Sequence, residues 1–227
     1  TDNSGKKAIR GRVLRRFFRH RLAAAGLVFI VAAVLFAVFA PLLAPFNPNK
    51  VVGDFGAPPT KSFLLGTDQV GRDVFSRLLY GMRISLFVGV AATLLSTVIG
   101  VVLGLLSGYF GGVLDMIIMR FTDMVMSFPY ILLVLVAAAI FKPGLNTIVL
   151  ILGFVDWPGV ARLVRGNVLS IREKPYIQAD MVAGMPKWYI LFSEILPNTI
   201  APILVYATSV IAISMLDEAA LSFLGMG

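Results

Sequence analysis

Charged residues are distributed so unevenly that the chain parses into uncharged runs. Leu22 to Ala44 is 23 residues without a charge, Ile84 to Phe110 is 27, Met124 to Phe141 is 18 and Ile195 to Leu216 is 22. A further run, Leu145 to Ala161, is apolar except for Asp156. At 1.5 Å per residue the first run makes about 35 Å of helix, enough for a hydrocarbon core of about 30 Å. The pattern predicts five membrane-spanning helices. Pro129 interrupts the third, and Pro197 and Pro202 fall in the last. Such prolines are tolerated in membrane helices, where neighbouring groups satisfy the freed carbonyls. The run holding Asp156 is close to balance, since its strong apolar residues contribute about −3 kcal/mol and a central Asp costs about +3. It is expected to insert with help from its neighbours and to turn Asp156 inward, toward a hydrogen bond on a neighbouring helix or toward Arg162.

Composition narrows the class. Hydrophobic residues make up 58% of the 227 positions and charged residues only 14%. An average soluble domain is roughly 45–50% apolar and about 25% charged. A soluble core of this size has no room for so much apolar surface. A soluble enzyme, a disordered chain and a free nucleic-acid binder are excluded. The net charge of +8 needs its own account, and position supplies it. Residues 1–21 hold Lys6, Lys7, Arg10, Arg12, Arg15, Arg16, Arg19 and Arg21 against the single acid Asp2, so this segment is net +7. The basic block sits against the first apolar run. That run is too long for the roughly 7–15-residue core of a cleaved signal peptide, so it reads as a signal anchor.

Basic residues also orient the spans. With a cytoplasmic N-terminus, segments 1–21, 111–123 and 162–194 are inside and carry 14 Lys and Arg, while 45–83 and the turn at Lys142 are outside and carry 6. The reverse orientation inverts this bias and is rejected. The resulting domains are a basic segment with the first helix (1–50), an extracytoplasmic loop (51–83) and a core (84–227) with the cytoplasmic loop 162–194. In that loop, Tyr176 to Ala183 has room for two helical turns between Pro175 and the breaks at Gly184 and Pro186. It reads as a solvated connector or as a short docking helix for a cytoplasmic partner.

Candidate chemistry is sparse. Gly100, Gly104 and Gly108 recur every four residues, a spacing that lets helix backbones approach closely. The polar run Gly66-Thr67-Asp68-Gln69-Val70-Gly71-Arg72-Asp73 lacks the alternating ligands of a calcium loop. It reads as a turn with Asp73 capping the helix that enters the second span. Asp156, as an intramembrane acid, is a functional candidate by default. No cysteine is present, and His20 is the single histidine. Thiolate metal sites, a metal cluster and a histidine proton relay are therefore excluded. No phosphate-binding GxxxxGK[ST] loop, HExxH or GxSxG occurs, so no catalytic residue is assigned. If the chain moves a solute uphill, the energy enters through another subunit.

The cytoplasmic loop reads Gln178-Ala179-Asp180-x3-Gly184, followed by Leu196-Pro197. It resembles the EAA loop of ABC-importer permeases, with Gln178 in place of Glu, Asp180 in place of the second Ala and Glu194 in place of Ile. The literal Glu218-Ala219-Ala220 is a decoy, because it follows the fifth span on the outer side and Leu224 stands where the glycine belongs. Further motifs are similar to those of the dipeptide, oligopeptide and nickel permease family. They are Arg16-Phe17-Phe18-Arg19-His20-Arg21, Leu65 to Leu78, Gly108-Tyr109-Phe110-Gly111-Gly112, Ala161-Arg162-x2-Arg165 and Leu221-Ser222-Phe223-Leu224-Gly225.

This resemblance implies an all-α polytopic helix bundle, a type I ABC importer permease, with a sixth span expected beyond Gly227. It implies a transport subunit of a bacterial or archaeal inner membrane that imports peptides, with nickel chelates or another small solute as the alternative. Implied partners are a second permease subunit, two cytoplasmic ATPase subunits or domains that hold ATP and Mg, an extracytoplasmic binding protein and membrane lipid. Gln178, Ala179, Asp180 and Gly184 would couple to the ATPases. Asp156, Gly100, Gly104 and Pro197 are pathway or structural candidates. Two rival readings are a passive channel or scaffold, which predicts no ATPase partner, and an intramembrane enzyme built around Asp156.

Overall fold

A computed structural model describes residues 19–225. The basic tail up to Phe18, and with it the start of the Arg16–Arg21 motif, lies outside the described residues. Among the described residues four helices are long and apolar enough to cross a membrane, and a fifth span results if one sharply bent helix pair counts as a single crossing. Among the described residues there is no strand, only an isolated bridge between Thr67 and Asp73. The chain divides into two compact units between Leu86 and Phe87.

The first unit begins with α1 (Arg21–Val38), whose Val28, Phe29 and Ile30 side chains are mostly exposed, as a lipid-facing helix requires. The helical run breaks at Phe39, and Pro41 opens the short α2 (Ala40–Leu43). The apolar run Leu22–Ala44 is thus one helix and a separate turn, because proline starts a helix more readily than it continues one. The following loop is irregular but tightly bonded. Thr67 is its hub: its hydroxyl donates to the Asp54 carbonyl at 2.5 Å and accepts from the Ala57 amide at 2.8 Å. Gly66 adopts φ +76°, and a side chain there would run into the Ala57 carbonyl. Asp73 accepts from the Ser76 amide at 2.8 Å, the predicted N-cap.

That cap starts α3 (Val74–Phe110) ten residues earlier than the uncharged run at Ile84. The expected loop 45–83 is shorter by the same stretch. Arg77 and Arg83 end an uncharged run but do not end a helix, because long basic side chains reach out to the interface. At 37 residues α3 is about 55 Å long, well beyond a hydrocarbon core.

In the second unit, α4 (Gly112–Ser127) and α5 (Tyr130–Ile140) meet at 87°. The charge pattern makes residues 111–123 a connection with the third span starting at Met124, whereas Gly112–Ser127 form one helix. The break falls at Phe128, which precedes Pro129 and is extended at φ −82°, ψ 139°. Proline disfavours the helical conformation in the residue before it. Next, α6 (Leu145–Arg172) runs eleven residues past Ala161. The last span is likewise longer than predicted. It comprises α8 (Lys187–Tyr189), a π-helical turn at Ile190–Ile195 and α9 (Leu196–Phe223). The loop predicted at 162–194 is thereby reduced to residues 173–186, which hold α7 (Pro175–Val182). Glu218-Ala219-Ala220 lies inside α9 rather than beyond it, with Glu218 buried.

Val160, Val164 and Val168 of α6 form the spine of the core here, packed with Leu105, Tyr109, Ile177, Ile190, Ile195 and Ile203. The predicted glycine stripe is the reason α3 comes so close. A Cβ on Gly100 would stand 2.5 Å from the Val160 Cβ, one on Gly104 2.6 Å from the Ala161 carbonyl, and one on Gly108 2.8 Å from the Val168 Cβ. These glycines are contact positions between two helices.

Candidate functional site

Two places gather the residues singled out from the sequence. The first is the segment joining α6 to α8. Pro175 occupies the first turn of α7, where its missing N–H costs nothing. The helix ends at Gly184, φ +75°, where the Gly184 and Met185 amides donate to the carbonyls of Met181 and Asp180. Ile177 is fully buried in the core cluster and anchors the helix from beneath. The Gln178 side-chain amide donates to the Arg172 carbonyl at 3.0 Å and ties α7 to the end of α6. Gln178, Ala179 and Gly184 are exposed and Asp180 is half-buried. Beside them Tyr176 and Val182 are also exposed, Val182 at 88%. A short helix is therefore pinned on one side and open on the other, with apolar and polar groups on its free face.

The second place lies among α5, α6 and α9. Asp156 turns inward as expected and meets the Ser214 hydroxyl at 3.4 Å. It does not meet Arg162, which bonds to Asp123 at 2.5 Å. The Tyr130 hydroxyl donates to Asp217 at 2.7 Å. A cavity of about 220 Å³ opens here, lined by Tyr130, Leu133, Asp156, Gly159 and Tyr206. The Tyr206 hydroxyl fills the space where a side chain at position 159 would be. Asp217 escaped the sequence reading because it ends the uncharged run, whereas α9 continues past it to Phe223. Its one signal was an acid closely following a long apolar stretch.

Two ion pairs were also missed. Arg165 grips Asp115 through two bonds, each 2.6 Å, and the Ser107 hydroxyl donates to the same carboxylate. With Arg162–Asp123, these join α6 to α4. Pro197 stands in the first turn of α9, directly after the π-helical turn. Its ring leaves no room for the carbonyl four residues earlier, and the wider turn accommodates it. No group of three or more metal-ligating side chains is found among the described residues.

Residues 100–227 match the family model of the binding-protein-dependent transport system inner membrane component. Residues 10–59 match the model of the N-terminal TM domain of oligopeptide transport permease C. The chain therefore belongs to the family of inner membrane components of binding-protein-dependent transport systems. Its bundle is that of a type I ABC importer permease, and it is a multi-pass membrane transport subunit. It is 40% identical over 214 residues to the dipeptide transport system permease protein DppC of Bacillus subtilis, covering 94% of this chain and 67% of that one. Against DppC of Haemophilus influenzae the identity is 40% over 220 residues, 93% of this chain and 74% of that relative. Against the oligopeptide transport system permease protein OppC of Bacillus subtilis it is 39% over 215 residues, 93% and 70%.

Proposed function

We propose that this chain is one of two permease subunits in an ATP-driven importer of dipeptides or oligopeptides. The names of the relatives support a peptide over a nickel chelate as the solute. A second permease subunit completes the pathway, two cytoplasmic ATPase subunits or domains bind ATP and Mg, and an extracytoplasmic binding protein delivers the peptide. The N-terminus and α7 face the cytoplasm, the orientation favoured by the basic residues.

The observation that carries this reading is α7, a helix pinned by Ile177 with its other face free. Gln178, Ala179, Asp180 and Gly184 meet the ATPases there. Closure of the ATPases around nucleotide moves α7 as a rigid body, and its attachment to α6 and to the π-helical turn passes the movement to the spans. No covalent step falls to this chain. Asp156, with Gly100, Gly104 and Pro197, belongs to the machinery that holds or lines the pathway.

Scrambling residues 177–185 tests the assignment. The assembled transporter should lose its ATPases on purification and its ATP-driven peptide uptake. Retention of both would defeat the coupling role. Stimulation of ATP hydrolysis by binding protein loaded with a dipeptide, but not with a nickel chelate, tests the solute.

A further inference from the structure

A second cavity, of about 400 Å³, lies against the loop side of the core. Tyr109, Phe110, Arg172, Met181, Met185 and Lys187 line it. Its position relative to the bilayer follows from the helices that end there. Phe110 is the last residue of one candidate span, Arg172 the last of another and Lys187 the first of a third. Phe110 closes the uncharged run of its helix, and the basic ends of the two others, Arg172 and Lys187, meet it there, so the cavity lies on the side where these helices leave the hydrocarbon.

Its chemistry is one-sided. Two cations and no carboxylate line it. Arg172 lies 6.0 Å from the centre of the Tyr109 ring, and neither Arg172 nor Lys187 has a carboxylate partner among the described residues. Every other arginine on α6 is committed, Arg162 to Asp123 and Arg165 to Asp115. Beside the cavity runs an aromatic strip. Trp188 stacks on Phe192 at 5.9 Å and meets the edge of Phe110 at 5.8 Å, and Trp188 and Phe192 are both more than half exposed. Amphipathic aromatic rings concentrate at the membrane interface, and basic pockets between spans accept anionic headgroups.

We propose that this cavity binds the phosphate of an anionic phospholipid. Arg172 and Lys187 hold the phosphate, and the acyl chains lie along Phe110, Trp188 and Phe192. A free phosphate would satisfy the two cations but would leave the aromatic strip without a partner.

Native mass spectrometry of the assembled transporter, purified in mild detergent and titrated with phosphatidylglycerol and phosphatidylcholine, tests this. The expected result is preferential retention of phosphatidylglycerol. Arg172→Gln together with Lys187→Gln should reduce that preference about thirtyfold, and either change alone about fivefold. Arg172→Lys with Lys187→Arg should preserve it, which separates charge from folding. If the double variant does not assemble, the single variants carry the measurement. Equal retention of both lipids, or an unchanged preference in the glutamine variants, overturns the proposal. So does displacement by millimolar inorganic phosphate, which assigns the cavity to a soluble anion. Lipid retention only after the ATPases are stripped away also overturns it, since the cavity then receives an acidic side chain of a partner.

Discussion

Single residues in this chain act mainly through space they deny or charge they fix. A side chain larger than hydrogen at position 104 meets the Ala161 carbonyl and Val164 at once. Gly104→Leu should lower stability by about 1–3 kcal/mol, the range for overpacking, in thermal unfolding of the purified protein. Gly166→Ala, at a position with nothing within 4 Å, should leave stability unchanged or raise it. Asp68 offers a pH test outside the spans. The Arg72 amide, with the Val70 amide and the Arg72 guanidinium, holds its carboxyl at about 2 instead of 3.8. A depressed carboxyl stabilises the folded loop fully above its ordinary value and loses that effect as pH falls toward the folded one. Hydrogen exchange at the Val70 and Arg72 amides should therefore quicken, beyond its intrinsic pH dependence, between pH 3.8 and about 2. Asp68→Asn should abolish the step. The Asp73 cap and the glycine stripe were legible because each is a local rule of spacing. The bond between Tyr130 and Asp217 spans 87 positions, and no local rule reaches that far.

Among the elements, α6 is the hub, and it is joined to its neighbours in different ways. Close backbone contact joins it to α3, ion pairs join it to α4, and the Asp156–Ser214 contact joins it to α9. The Arg165–Asp115 pair is partly exposed, so its loss should be moderate. Arg165→Ala should cost about 2 kcal/mol by leaving a carboxylate unmatched. Arg165→Ala with Asp115→Ala should recover part of that in a double-variant thermal unfolding series, and a fully additive result would deny the coupling. The existence of these helices was readable from uncharged runs, but their ends were not. Charges mark where a helix leaves hydrocarbon, while caps and prolines mark where it stops. Asp73, Gly184 and Pro129 are the true terminators, and each is legible in the sequence, as a cap, a loop break and an interruption of its span, whereas the angle of the bend at Pro129 is not.

For the whole molecule, residue pairings fix the relative direction of the spans in the second unit. Gly100, Gly104 and Gly108 meet Val160, Val164 and Val168 in the same ascending order, so α3 and α6 run parallel. Asp115 and Asp123 meet Arg165 and Arg162 in reverse order, and Asp156 and Gly159 meet Ser214 and Tyr206 in reverse order. Helices α4 and α9 therefore run against α6. This alternation is the one the basic residues imply, and it leaves the absolute orientation to be measured. The chain has no cysteine, so single cysteines report cleanly. An impermeant maleimide should label Asp54→Cys in intact cells and Glu173→Cys only in inside-out vesicles. The opposite result would invert the protein. The parallel seam also limits how the bundle can move. Glycines and valines mesh at a shared interval of four residues, about 6 Å of rise. A smaller slide drives each valine into the backbone facing it, and a full one leaves a tooth unmatched at each end. The seam is thus a ratchet with one notch, and its geometry predicts that the Gly100–Gly108 stretch of α3 and the Val160–Val168 stretch of α6 move together, leaving any opening of this unit to the seams that side chains alone hold closed.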